Sequence, residues 1–162
     1  MDVRPVLFRI AKLLEEYGLE AVLIGNAAAA LHGAPVTTVD FDFMFRKTPA
    51  NLRKLKAVAV ALEAVIMRPY YPASDLYRIV REDDGLQIDF MATIHGVRSL
   101  ASLRSRASTV EFDKIKLLVA DLSDIVKSKK AAGRARDKAV LKILEKALLE
   151  EAHNKKRKAG SS

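Results

Sequence analysis

The sequence predicts an α+β domain: a small mixed β-sheet flanked by helices, with a helical C-terminal third. Three observations carry this. Thr38 to Phe45 is β-branched and aromatic with acids at alternate positions, as a strand would be. Asp83-Asp84-Gly85 separates two apolar runs in the manner of a hairpin turn. From Ile115 onward helix-like spacing dominates, broken only at Gly133.

In chain order, Val6 to Tyr17 puts Val6, Leu7, Ile10, Leu13, Leu14 and Tyr17 on one helical face and stops at Gly18. Ala21 to Ile24 is short, apolar and closed by Gly25, which predicts a buried strand. A short helix over Ala27 to His32 follows, ended by Gly33 with Pro35 beyond it. Thr38 to Phe45 is the second strand. Asn51 to Met67 reads as one long helix, introduced by Thr48 as N-cap and Pro49 in the first turn. The hairpin comprises Leu76 to Arg81 and Leu86 to Ala92. A polar loop over Ser99 to Ser108 leads to a strand over Thr109 to Phe112. Ile115 to Val119 then enters a helix over Ser123 to Ala132, and a last helix spans about Asp137 to Ala152.

With 162 residues, half of them hydrophobic, the chain can build one core. The expected organisation is a single domain over residues 1–153 and a basic, disordered tail over 154–162. Lys155, Lys156, Arg157 and Lys158 in that tail supply four of the eight net positive charges, so the body is only mildly basic. The absence of cysteine excludes disulfides, thiolate metal sites and a thiol nucleophile. No apolar run approaches the roughly 18 residues of a membrane span, and the start lacks the apolar stretch of a signal peptide. The expected location is the cytoplasm, with no membrane partner.

The candidate site lies in "LIGNAAAALHGAPVTTVDFDF". Strand alternation directs Asp40 and Asp42 to one side and Val39, Phe41 and Phe43 to the core. Two carboxylates one pleat apart repel each other unless a cation lies between them, and divalent ions that clamp a phosphoryl transfer can be bridged by such a pair. Acids facing water are the alternative reading of the pair alone. Asp89 in "LQIDFM" is a third acid set in a core-like strand, with Leu86, Ile88 and Phe90 on the other face. A calcium loop does not fit, because Met44 and Phe45 stand where oxygen ligands and a glycine are required. Gly25 lets the backbone approach a ligand, and Asn26 begins a helix whose first N–H groups can face an anion; a plain strand-to-helix turn is the simpler alternative. The segment is neither a dinucleotide-binding loop nor a P-loop.

Taken together, "LIGNAAAALHG", "TVDFDF" and "LQIDF" resemble the polymerase-β-like nucleotidyltransferase superfamily, and most of all its small bacterial and archaeal branch of minimal nucleotidyltransferases and abortive-infection toxins. "KKAAGRARD" resembles the helical Lys-x-x-Ala-Gly-Arg-x-x-Asp segment of that branch through Lys129, Ala132, Gly133, Arg134 and Asp137. Three positions depart from the pattern: Asn26 replaces a Gly or Ser, Val36 an Arg, and Val140 a second Asp. The resemblance implies a Mg²⁺- or Mn²⁺-dependent enzyme that moves a nucleoside monophosphate from a nucleoside triphosphate such as ATP to a hydroxyl. It implies Asp40 and Asp42 as ligands of both metals. Asp89 would bind the catalytic metal and promote deprotonation of the acceptor. Gly25, Asn26 and Thr38 would line the phosphate side. Lys129 is a candidate for the triphosphate, although Lys127, Lys129 and Lys130 could equally form a solvated face. His32 is expected at a helix end near the site. The acceptor would be a tRNA or other RNA end, or a side chain of a partner protein. The alternative is a catalytically degenerate binding module, such as one subunit of a toxin–antitoxin pair.

Overall fold

The computed structural model describes residues 3–68 and 75–160. Its elements, in order, are α1 (Arg4–Glu16), β1 (Ala21–Ile24), α2 (Gly25–Leu31), β2 (Asp40–Phe45), α3 (Pro49–Ala61), β3 (Val65–Met67), β4 (Leu76–Arg81), β5 (Leu86–Met91), α4 (Leu100–Arg106), β6 (Ser108–Phe112), β7 (Ile115–Val119), α5 (Leu122–Ala132), a 3₁₀ turn (Ala135–Asp137) and α6 (Lys138–Gly160). The strands form one mixed sheet in the order β3-β4-β5-β2-β1-β7-β6. β2 runs parallel to β5 and β1 parallel to β7, and the remaining pairs are antiparallel.

The α+β class and the hairpin stand as expected. Alternation in β2 buries Phe41 and Phe43, with Phe43 stacked on Phe90 of β5 at 5.2 Å between ring centres. Phe45 meets the edge of both Phe90 and Tyr77, so the core face of the sheet centre is an aromatic cluster. α1 buries Leu7, Ile10 and Leu14, and α3 buries Leu55 and Val58. Thr48 caps α3 as its sequence suggests, accepting from the Asn51 N–H at 3.1 Å, with Pro49 in the first turn.

Five expectations are corrected. The long helix ends at Ala61 rather than Met67: Glu63 adopts φ +54, and Val65–Met67 leaves as the edge strand β3. The stretch Ser99 to Ser108 is largely a helix, α4, with the Ser99 hydroxyl accepting from Ser102 N–H. Ile115–Val119 is not a lead-in to a helix but the strand β7, paired with both β1 and β6. Val39 stands outside β2 and is 62% exposed, so it takes no part in the core. α6 continues to Gly160, and residues 154–160 extend a helix where a disordered tail is expected. No helix breaker intervenes, and Lys155 pairs with Glu151 one turn back at 3.3 Å. Lys156, Arg157 and Lys158 remain exposed along it. Among the described residues, no helix is long and apolar enough to cross a membrane.

Candidate functional site

Register places the acids in one row across the sheet. Ile24, the last residue of β1, lies opposite Asp42; Asp42 lies beside Asp89; Asp89 lies opposite Arg78 of β4. Asp40 lies one pleat earlier, beside Gln87. Because β2 and β5 are parallel and bury their alternate residues on the far side, Asp40, Asp42 and Asp89 share a face. All three line one cavity of about 1020 Å³, together with Gly25, Asn26 and Lys129.

β1 ends directly in α2, and the turn is made at Gly25 with φ +71. A Cβ there would lie 2.8 Å from Asp42 Oδ2, so only glycine leaves that oxygen free. Asn26 follows, and its buried Oδ1 has no hydrogen-bond partner among the described residues. Thr38 also lines the cavity and hydrogen-bonds the Asp40 backbone, its hydroxyl accepting from Asp40 N–H at 3.1 Å. α5 and the 3₁₀ turn also line the cavity. Lys129 Nζ lies 3.7 Å from Asp137, and Arg134 Nε pairs with the same carboxylate at 3.0 Å.

Burial lifts the Asp42 carboxyl from the ordinary 3.8 to about 6, with the neighbouring charges of Asp89 and Asp40 adding to the effect; Lys129 and Arg134 act in the opposite direction. Asp89, only 9% exposed, is held by Arg78 through two bonds, from Nε to Oδ1 at 2.9 Å and from Nη2 to Oδ2 at 3.1 Å. Arg78 is the site residue that a residue-by-residue reading misses. Its signal is the hairpin: counting back from the Asp83-Asp84-Gly85 turn pairs Arg81 with Leu86, and thus Arg78 with Asp89.

A divalent cation can be tested against these donors. Among the described residues, no three acidic or histidine side chains form a ready cage. Mg²⁺, however, is commonly held by one or two carboxylates plus substrate phosphates, and its remaining ligands are waters. Asp40 and Asp42 fit that pattern: they stand one pleat apart on one face, and a cation there would offset the charge that burial makes costly at Asp42. Asp89 does not fit in the same way, since both its oxygens already accept from Arg78.

The structure brings together Gly25, Asn26, Thr38, Asp40, Asp42, Asp89 and Lys129 around the cavity. His32 does not join them. Its Nε2 is 2.8 Å from the Ala120 carbonyl and its Nδ1 faces Glu151 at 3.8 Å, so it ties α2 to the C-terminal half. Asp124 also reaches the cavity wall, with its carboxylate taken by Arg106 of α4 in a second two-bond pair at 2.8 and 3.0 Å.

A family described as "Nucleotidyl transferase of unknown function (DUF2204)" matches residues 4–159. Among curated proteins, none matches significantly. The fold is similar to a nucleotidyltransferase candidate (TM1012) from Thermotoga maritima, at 18% identity over 85% of this chain and 89% of that one, with a TM-score of 0.63. It is also similar to the lincosamide antibiotic adenylyltransferase LnuA, solved with lincomycin, at 14% identity over 86% and 94% of the chains, TM-score 0.62. A third likeness is to ANT(2")-Ia in complex with adenylyl-2"-tobramycin, at 14% identity over 94% and 97%, TM-score 0.59.

Proposed function

Because this chain belongs to the DUF2204 nucleotidyl transferase family, we propose that it transfers a nucleoside monophosphate from a nucleoside triphosphate to a hydroxyl acceptor, with Mg²⁺ or Mn²⁺ held at Asp40 and Asp42. The observation that carries this reading is the single cavity that the row Asp42–Asp89, with Asp40 one pleat away, lines together with Lys129 and Arg134. The acids suit a cation; the bases suit a polyphosphate. The bound cation would supply charge stabilisation of the phosphoryl oxygens. Gly25 gives the triphosphate access to the backbone beside Asp42, and Lys129 with Arg134 orients its terminal phosphates. Asp89, once an oxygen is released by Arg78, would draw the proton from the acceptor hydroxyl as the hydroxyl oxygen bonds to the α-phosphorus and the bond to pyrophosphate breaks.

The test is transfer from α-labelled nucleoside triphosphates, one base at a time, to total tRNA and to co-purifying proteins. Nucleotide with Mg²⁺ should raise the melting temperature of the wild type, since a ligand of the native state stabilises it by mass action. Asp40→Asn should lose both transfer and that rise. An equal shift in the variant would remove the aspartates from the site. The degenerate-module reading draws on one observation, that Arg78 already satisfies both oxygens of Asp89. Nucleotide-dependent stabilisation without transfer to any acceptor would select it.

The acceptor we propose is an RNA end, supported by the basic, exposed last turns of α6. Each phosphate neutralised by Lys or Arg contributes roughly −0.7 to −0.9 to the slope of log affinity against log salt. Deleting residues 155–162 should flatten that slope by up to about four phosphates' worth and leave turnover at saturating substrate nearly unchanged. Transfer that is unaffected by the deletion and not competed by tRNA would point to a protein hydroxyl instead.

A further inference from the structure

Arg78 occupies both oxygens that a divalent cation would need at Asp89. Asp89 is buried beside Asp42, and two such carboxylates need a compensating positive charge. In the structure Arg78 provides it, with the fork geometry that matches a carboxylate bond for bond. Gln87 adds only a long contact, 3.5 Å from its Nε2 to Asp89 Oδ2. Arg78 is also placed to leave. Its backbone neighbours Tyr77 and Ile79 anchor the strand in the core, whereas its own side chain is 36% exposed. Across β4, its register partner on the edge strand is Met67, itself 54% exposed. The guanidinium is thus held by Asp89 while part of the side chain stays accessible.

We propose that Arg78 is a positioning residue that closes Asp89 to metal, so that the site takes a cation at Asp40 and Asp42 first and recruits Asp89 only when Arg78 lets go. This rests on the reading that Asp40 and Asp42 hold a divalent cation. The consequence is an ordered site. Without nucleotide it is a poor metal site, since its third carboxylate is spoken for. A polyphosphate entering between Lys129 and the acids offers Arg78 a competing anion and releases Asp89 at the moment of use. An arginine acting only through its charge on Asp40 and Asp42 would also strengthen cation binding when removed, but that gain would not depend on Asp89.

Mn²⁺ binding to the full chain without nucleotide, followed by the paramagnetic resonance of the free ion, separates these roles. Arg78→Gln should bind Mn²⁺ at least about tenfold more tightly than wild type, the scale on which neighbours of metal ligands alter affinity. Arg78→Lys should fall between, because an ammonium is a point charge without the two-pronged fork. Adding Asp89→Asn to Arg78→Gln should cancel the gain. The proposal is overturned if Arg78→Gln, still unfolding cooperatively, binds Mn²⁺ no better than wild type, or if the gain survives Asp89→Asn. Should Arg78→Gln fail to fold, Arg78→Lys carries the same inequality against wild type. Asp40→Asn in the Arg78→Gln background keeps the two claims distinct. Loss of binding supports the cation at Asp40 and Asp42. Retained binding that still depends on Asp89 overturns the functional reading and leaves the rivalry at Asp89 standing.

Discussion

Asp42→Asn should make the metal-free protein more stable and the enzyme inactive. Burial, with help from Asp89 and Asp40, raises the folded-state carboxyl of Asp42 to about 6 from 3.8. The folded chain thus holds this proton more tightly than the unfolded chain does. Between those two values the native state binds more protons, so stability falls as pH rises through that window and stays reduced above it. An ionised Asp42 is a cost of about 1–3 kcal/mol at neutral pH, which asparagine removes. Thermal unfolding of both proteins without metal, from pH 4 to pH 7, would show the curves diverging as pH rises, with the variant higher. Transfer should fall about 10³-fold or more, because charge stabilisation by a bound metal is worth several kcal/mol of barrier. A variant that is both less stable at pH 7 and still active would mean that Asp42 is an ordinary strand acid.

A buried acid that weakens its own fold calls for a compensating role, and the positions of these acids are legible in the sequence. Asp42 and Asp89 stand between core residues, Phe41 and Phe43 and Ile88 and Phe90, and alternation alone puts Asp40 and Asp42 on one side. Gly25 and the Asp83-Asp84-Gly85 turn were equally plain. What escaped is what depends on partners distant in sequence. Ile115–Val119 has four apolar residues and Lys116, too short a run for periodicity to decide between strand and helix; it is a strand because β1 and β6 offer it hydrogen bonds. The turn before it, Asp113-Lys114, takes φ +45 and +76 without a glycine to announce the bend. The same holds at Glu63, where a positive φ ends α3 with no residue to signal it. α4 hides behind serines, although Ser99 is a good N-cap. Arg78 escaped because its meaning lies in a cross-strand register, not in its neighbours.

Gly25→Ala should cost stability and abolish transfer, and Gly85→Ala should cost stability alone. Both glycines sit at nearly the same backbone angle, φ +71 and φ +70. An alanine in that left-handed region costs roughly 1–2 kcal/mol at either position. Their surroundings differ. A methyl at Gly85 meets nothing within 4 Å, whereas one at Gly25 would press on Asp42 Oδ2 at 2.8 Å and on its Cβ and Cγ at 3.5 Å. Relief requires Asp42 to turn away, which moves its carboxylate out of the position it holds beside Asp89. The melting temperatures of the two variants should therefore fall by comparable amounts, with a further drop at Gly25 that Asp42→Ala, by clearing the space, partly restores. Transfer should be retained in Gly85→Ala once both are assayed well below their melting temperatures. In Gly25→Ala it should be lost by about 10²-fold or more, the scale on which small misplacements of a reacting group act. Equal activity in the two variants would show that the close approach of the backbone to Asp42 has no part in the chemistry.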